Sequence, residues 1–183
     1  MTGPDTPAAV AEAALWTPDP ARVAAGAFAR FKAEAGRRAG TDFADYDALH
    51  AWSIADRGAF WDLVWDFAGV IGEKGAVRLA DGDRMPGARF FPEARLNFAE
   101  NLLRRADDTP AIVYRAEDKR AGTMTWRELS ALVSRLQQAL EREGVAVGDR
   151  VAAMLPNGPE AVAFMLATAS LGAVWSSCSP DFG

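Results

Sequence analysis

The sequence predicts an α/β protein: a helical first third, a long wrapping connection, then strands alternating with helices. Three observations lead there. Apolar residues recur at helical spacing between residues 20 and 68. Glycine and proline interrupt every pattern from 69 to 92. From residue 111, short β-rich runs alternate with helix-period runs, the order that crossover connections and a largely parallel sheet require.

Residues 1–14 hold little that could be buried and read as a loose tail. Asp19-Pro20 is a helix start, a capping carboxylate followed by proline at the first helical position. Val23, Ala27, Phe28 and Phe31 continue that helix, and Gly36 to Gly40 is expected to end it. A second helix opens near Asp45 and puts Leu49 and Trp52 on one face. A third follows Asp56 and presents Phe60, Trp61, Val64, Trp65 and Ala68 as a stripe. Four of the six tryptophans fall in this first third. A stripe at this period is read as a helical layer pinned to a neighbour, in preference to an aromatic ligand box.

Residues 69–92 form a connection with a short strand around Val77 to Ala80. Its run Gly69-Val70-Ile71-Gly72-Glu73-Lys74-Gly75 lacks the Lys-Ser/Thr ending that a phosphate loop needs, so it is not read as one. A short helix with Leu96, Phe98, Leu102 and Leu103 is expected from Ala94. After the turn at Asp107-Asp108-Thr109-Pro110 comes a strand, Ala111 to Tyr114, then a hairpin-like turn into Met124-Thr125-Trp126. Thr125 and Glu128 make a capping box for a helix carrying Leu129, Leu132, Val133, Leu136 and Leu140. Gly144 stops that helix. Strand Val151 to Leu155, a helix from Pro156–Glu160 through Leu171, and strand Ala173 to Ser176 complete the order. That last strand reads as an interior one whose neighbour is not in the sequence, so the chain is read as part of a larger protein.

Composition narrows the function classes. The 183 residues carry a net charge of −5, with a pI near 5.0, against a basic nucleic-acid-binding face. The sole cysteine and sole histidine exclude an internal disulfide and a Cys/His zinc site. No secretory leader or spanning segment is visible, and a cytoplasmic protein is expected. Chemistry-bearing residues are sparse. His50 is read as structural, Cys178 as an inert buried thiol, and the Asp107/Asp108 and Asp81/Asp83 pairs as solvated turn residues. The segment Ser176-Ser177-Cys178-Ser179-Pro180-Asp181-Phe182-Gly183 stands out because ligands of open parallel sheets bind beyond the carboxyl ends of strands.

Three blocks carry a family resemblance: Leu15-Trp16-Thr17-Pro18-Asp19-Pro20, the run Gly87-Ala88-Arg89-Phe90-Phe91-Pro92-Glu93-Ala94-Arg95-Leu96-Asn97-Phe98-Ala99-Glu100-Asn101-Leu102-Leu103, and Leu171-Gly172-Ala173-Val174-Trp175-Ser176-Ser177-Cys178-Ser179-Pro180-Asp181-Phe182-Gly183. Together they resemble the acetoacetyl-CoA synthetases (acetoacetate–CoA ligases) among the adenylate-forming enzymes. Acetyl-CoA synthetases share the layout and differ in the last two blocks. The resemblance implies a helical cap over 15–104, then the first βα units of a large AMP-binding domain over 105–183, incomplete on its C-terminal side. It implies ATP, CoA and Mg²⁺ for the full-length enzyme, acetoacetate as substrate, and small molecules as partners in place of nucleic acid or membrane. It also implies that Ser179, Pro180 and Asp181 form a turn beside the pantetheine arm of CoA, where the acetyl-CoA relatives are richer in glycine. No catalytic or metal-binding residue is assigned, because the family's phosphate loop and catalytic lysine have no counterpart in the 183 residues. Inactivity of the chain alone is therefore expected. Two other readings stay open on the residues: another short-chain acyl-CoA synthetase using acetate or propionate, and a non-catalytic α/β binding module.

Overall fold

A computed structural model describes residues 14–117 and 120–182. The expected tail thus lies, but for Ala14, outside the described residues, as does Gly183. Internal packing divides the chain into two units, Met1–Phe67 and Ala68–Gly183.

The first unit is helical: α1 (Pro20–Ala24), α2 (Ala27–Ala39), α3 (Tyr46–Ala55) and α4 (Arg57–Phe67). The carboxylates that mark the helix starts cap them. Asp19 accepts from the Ala21 N–H at 2.7 Å, Asp45 from Ala48 at 2.9 Å and Asp56 from Ala59 at 2.9 Å. The single helix expected from Pro20 is two helices. Gly26 is extended and donates its N–H back to Val23 O at 3.1 Å, so the chain turns there and restarts. Gly36 does not end α2; it is buried inside it, where an added Cβ would come within 2.7 Å of Thr41 O. Gly40, at φ 68°, is the terminator.

The core of this unit is Ala35, Leu49 and Leu63, ringed by Phe31, Phe43 and Trp52. The expected α4 stripe is therefore displaced. Leu63 has no exposed surface, whereas Trp61 is 42% exposed and Phe60, Val64 and Trp65 are half-buried. An ion-pair set explains the rotation. Arg38 of α2 reaches Asp66 at 2.8 Å and Asp62 at 3.4 Å on α4, and takes Glu34 at 3.2 Å on its own helix. The acidic side of α4 is thereby turned toward α2, and Leu63, beside Asp62, goes into the core.

The second unit contains β1 (Leu79–Ala80), β2 (Arg89–Phe90), α5 (Phe98–Leu102), β3 (Pro110–Arg115), β4 (Ala121–Thr125), α6 (Trp126–Arg142), β5 (Arg150–Met154), α7 (Pro159–Ser170) and β6 (Val174–Cys178). The class is α/β, but the strands pair in three separate twos. β1–β2 and β3–β4 are antiparallel, and β5–β6 is parallel with Arg150 opposite Val174 and Met154 opposite Cys178. The largely parallel sheet expected from strand order is thus, among the described residues, one parallel pair. Loop length decides it. A short connection can only fold β4 back along β3, whereas the α7 crossover returns the chain to run parallel.

The core of this unit is Ala99, Leu129, Val133, Ala163, Leu166 and Ala167. The small side chains of Ala163 and Ala167 let α6 and α7 pack closely. The capping box of α6 is present in both directions, with Thr125 N–H donating to Glu128 Oε2 at 2.8 Å and Glu128 N–H to Thr125 Oγ1 at 3.2 Å.

Helix α5 starts at Phe98, four residues later than expected, because Arg95 is held in a backbone bridge with Glu73 and Asn97 takes the cap. Two asparagines one helical turn apart make this segment a clamp. Asn97 accepts from Glu100 N–H at 3.2 Å and donates Nδ2 to Ala169 O and Ser170 O, each at 3.1 Å. These bonds tie the last carbonyls of α7 to the start of α5, and Ala169 O accepts the Gly172 N–H at 3.0 Å as well. Asn101 imitates a strand. Its Oδ1 accepts from Ile71 N–H at 2.9 Å and its Nδ2 donates to Ile71 O at 2.8 Å. The segment Gly69 to Gly75, read above as no phosphate loop, is strapped down by these bonds and by the Glu73–Arg95 bridge.

Candidate functional site

Beyond β6 the chain closes a tight turn. Phe182 N–H donates to Ser179 O at 3.2 Å, Asp181 N–H donates to Ser179 Oγ at 3.2 Å, and that hydroxyl donates to Asp181 Oδ2 at 2.9 Å. Pro180 occupies the second position, where its fixed φ suits the turn. Ser179, Pro180 and Asp181 are therefore together at the carboxyl end of a parallel pair. Ser176, Ser177 and Cys178 precede them along β6, all exposed. The buried thiol expected for Cys178 is a solvent-exposed one. Its strand pairs only with β5 among the described residues, so no neighbouring strand or helix covers that position.

The nearby start of α7 is already neutralised by the chain itself. Glu160 lies in the first helical turn and accepts Arg120 NH2 at 2.8 Å, and the Arg120 guanidinium stands 5.8 Å over the Tyr114 ring. That hydrogen bond holds the Glu160 carboxyl below its usual range and Arg120 above its own. Helix capping made Glu160 legible as a first-turn residue. Its link to Arg120 was not, since the partner lies 40 positions away.

The acidic pair Asp107/Asp108, in the turn before β3, does more than sit in solvent. Asp107 accepts from the Thr109 hydroxyl, from Thr109 N–H at 2.9 Å, and from Arg105 Nε at 2.9 Å. These bonds, the Thr109 hydroxyl first, hold its carboxyl down at about 2. Asp108 is lowered by Arg127, with Nε at 2.7 Å, and Glu128 by the Thr125 N–H. A carboxyl whose folded value is depressed stabilises the fold fully above its unfolded value near 3.8, and loses that contribution as pH falls through about 2. Carboxyl NMR titration should therefore place the Asp107 midpoint near 2, and Thr109→Ala should move it up toward 3.8. An unchanged midpoint in that variant would contradict the assignment.

His50 is exposed and stacked on Tyr46 with ring centroids 5.8 Å apart. It lines an aromatic cavity of about 270 Å³ with Phe28, Phe31 and Phe60. No group of three His, Cys, Asp or Glu residues able to hold a metal ion occurs among the described residues. No described helix is long and apolar enough to cross a membrane.

Comparison with known proteins agrees with this layout. A family model for AMP-binding enzymes matches residues 98–183, and one for the acetyl-coenzyme A synthetase N-terminus matches residues 46–102. The chain is 61% identical to an acetoacetyl-coenzyme A synthetase of Rhizobium meliloti, over 94% of this chain and 27% of that protein. It is 38% identical to an acetoacetyl-CoA synthetase of Danio rerio, over 92% of this chain and 25% of that one. The solved acetoacetyl-CoA synthetase of Streptomyces lividans superposes with a TM-score of 0.83 at 43% identity, over 92% of this chain and 27% of the other. The matched segments are those of AMP-binding enzymes that carry an acetyl-CoA-synthetase-type N-terminal region. Along nearly its whole length the chain is similar to the N-terminal part of acetoacetyl-CoA synthetases. It spans about a quarter of the length of the curated relatives it matches.

Proposed function

We propose that this chain is the N-terminal part of an ATP-dependent, AMP-forming acid–thiol ligase of the cytoplasm that acts on acetoacetate. A carboxylate is a poor electrophile. Adenylation by ATP gives its oxygen a good leaving group and releases pyrophosphate, and the CoA thiol then displaces AMP. The observation that carries the reading is 61% identity across 94% of the chain. The boundary between helical region and AMP-binding domain is placed near residue 104, between α5 and β3.

In this reading the turn at Ser179, Pro180 and Asp181 lies along the pantetheine arm. Its polar atoms are a hydroxyl, a carboxylate and backbone groups, which match the uncharged amides of that arm. The Asp181 carboxylate would repel phosphate, so the charged end of CoA belongs elsewhere. Bound Mg²⁺ would supply charge neutralisation at the ATP phosphates. The groups that hold those phosphates and the catalytic lysine are assigned outside these residues.

Two measurements test this. The purified chain, given ATP, Mg²⁺ and acetoacetate, should release no pyrophosphate above a no-enzyme blank; release would place reactive groups within it. Exchanged for the matching segment of the Rhizobium meliloti relative, the chain should support acetoacetyl-CoA formation within about tenfold of the parent. A soluble, folded chimera that makes none would overturn the assignment.

A further inference from the structure

Helices α5 and α6 both pack on α7, and the three line a cleft of about 400 Å³, at the low end of the size of small-molecule pockets. Its floor is apolar. Ala99 has no exposed surface, Val133 is 3% exposed, and Leu103 is half-buried against them. Its α6 wall is polar, because Ser130, Ser134 and Gln137 recur on one helical face. Hydrogen-bond accounting separates the polar groups. The Asn97 amide is engaged at both ends, and the Ser170 hydroxyl donates to Ala167 O at 2.7 Å. The Gln137 amide and the Glu100 carboxylate have no partner among the described residues. Glu100 is the more telling of the two. It holds the third position of α5, as Glu128 does in α6. Glu128 turns its carboxylate back to the Thr125 N–H at 2.8 Å, whereas Glu100 closes no such box and lines the cleft. Among the described residues it is the only charged side chain that does so.

We propose that the cleft between α5 and α6 binds a small primary amine with a short apolar body and a hydroxyl at its other end. The ammonium sits on Glu100, the methylene chain covers Leu103, Ala99 and Val133, and the hydroxyl lies between Ser134 and Gln137. A carboxylate with no neighbouring cation draws a positive head group and repels a carboxylate or phosphate. Amide and hydroxyl groups both donate and accept, so they satisfy a ligand hydroxyl in either direction. The inference stands apart from the ligase reading. None of these residues belongs to the turn at Ser179, Pro180 and Asp181, and binding alone is the readout.

The test titrates the full chain with aminohexanol, hexanediol and hydroxyhexanoate, probes of one length that differ in their head group, and follows the amide NMR spectrum. Aminohexanol should bind with a dissociation constant of about 1–10 mM, the range for so small a ligand, and should shift the amides of Glu100, Leu103, Ser134 and Gln137. Hexanediol should bind about fivefold more weakly, the upper value for losing an exposed ion pair, and hydroxyhexanoate should not bind. Glu100→Gln should bring aminohexanol down to the level of hexanediol and leave the rest of the spectrum unchanged, since the side chain it replaces has no partner. Ser134→Phe, which fills the cleft from an exposed helical position, should abolish binding of both. The proposal is overturned by no titration at all, by equal affinity for the three probes, or by an unaltered aminohexanol titration in Glu100→Gln. Shifts of one midpoint spread over the other acidic residues would also overturn it, because they would show nonspecific attraction of a cation to an acidic chain.

Discussion

Leu63→Ala should lower the stability of the first unit by about 3–5 kcal/mol, the range for removing a large aliphatic side chain from a core that cannot collapse around the gap. Leu63 is fully buried, with Ala35 and Leu49 as its buried neighbours. Ala35 cannot extend to fill the space. Arg38 holds α2 to α4 through Asp62 and Asp66, on either side of Leu63 in sequence, which restrains the helices from closing in. Three of the six tryptophans, Trp52, Trp61 and Trp65, lie on α3 and α4, so fluorescence during urea unfolding reports this unit directly. The same substitution at Trp61, which is 42% exposed, should cost clearly less. A Leu63→Ala midpoint indistinguishable from that of the parent would mean that the core lies elsewhere.

Gly75→Val should destabilise the second unit by about 2–4 kcal/mol, combining left-handed backbone strain on a β-branched residue with overpacking. Gly75 has φ 76°, and an added Cβ would come within 2.6 Å of Glu93 Cβ and 2.9 Å of its Oε2. That carboxylate oxygen accepts the N–H groups of Ala76 at 2.8 Å and Val77 at 3.2 Å, so displacing it releases two further bonds. Gly144→Ala is the matched control: its φ is 85°, with open space around the added Cβ, so it carries the backbone strain without the clash. Hydrogen exchange at Ala76 and Val77 separates the two effects. Faster exchange there in Gly75→Val, and unchanged exchange in Gly144→Ala, is the expected pattern; equal behaviour would remove the Glu93 contact from the account.

Much of the secondary structure was legible because its causes are local. Asp19, Asp45, Asp56 and the Thr125–Glu128 pair cap helices through groups within three residues, and each is found doing so. The family was legible too, since the blocks at 87–103 and 171–183 are contiguous in sequence. The α4 face was misjudged by a helical step, because Arg38, 24 and 28 positions earlier, decides which side of that helix meets α2. Cys178 was misjudged for a related reason: burial on a strand depends on what pairs beside it, and alternation along the strand says nothing about that.

The candidate site divides in the same way. Sequence alone determined that a serine-rich segment follows the last strand, and the family resemblance implied a turn over Ser179, Pro180 and Asp181. Only the tertiary structure decided that this turn stands at the end of a parallel pair, that Glu160 already occupies the nearby helix start through Arg120, and that Asn97 and Asn101 anchor α5 to α7 and to the wrapping segment. Caps and turns are set by interactions a few residues long, which one sequence displays. The Arg38–Asp62 ion pair and the Asn97 clamp join residues 24 and 73 positions apart, and such partners are selected only when the chain has packed.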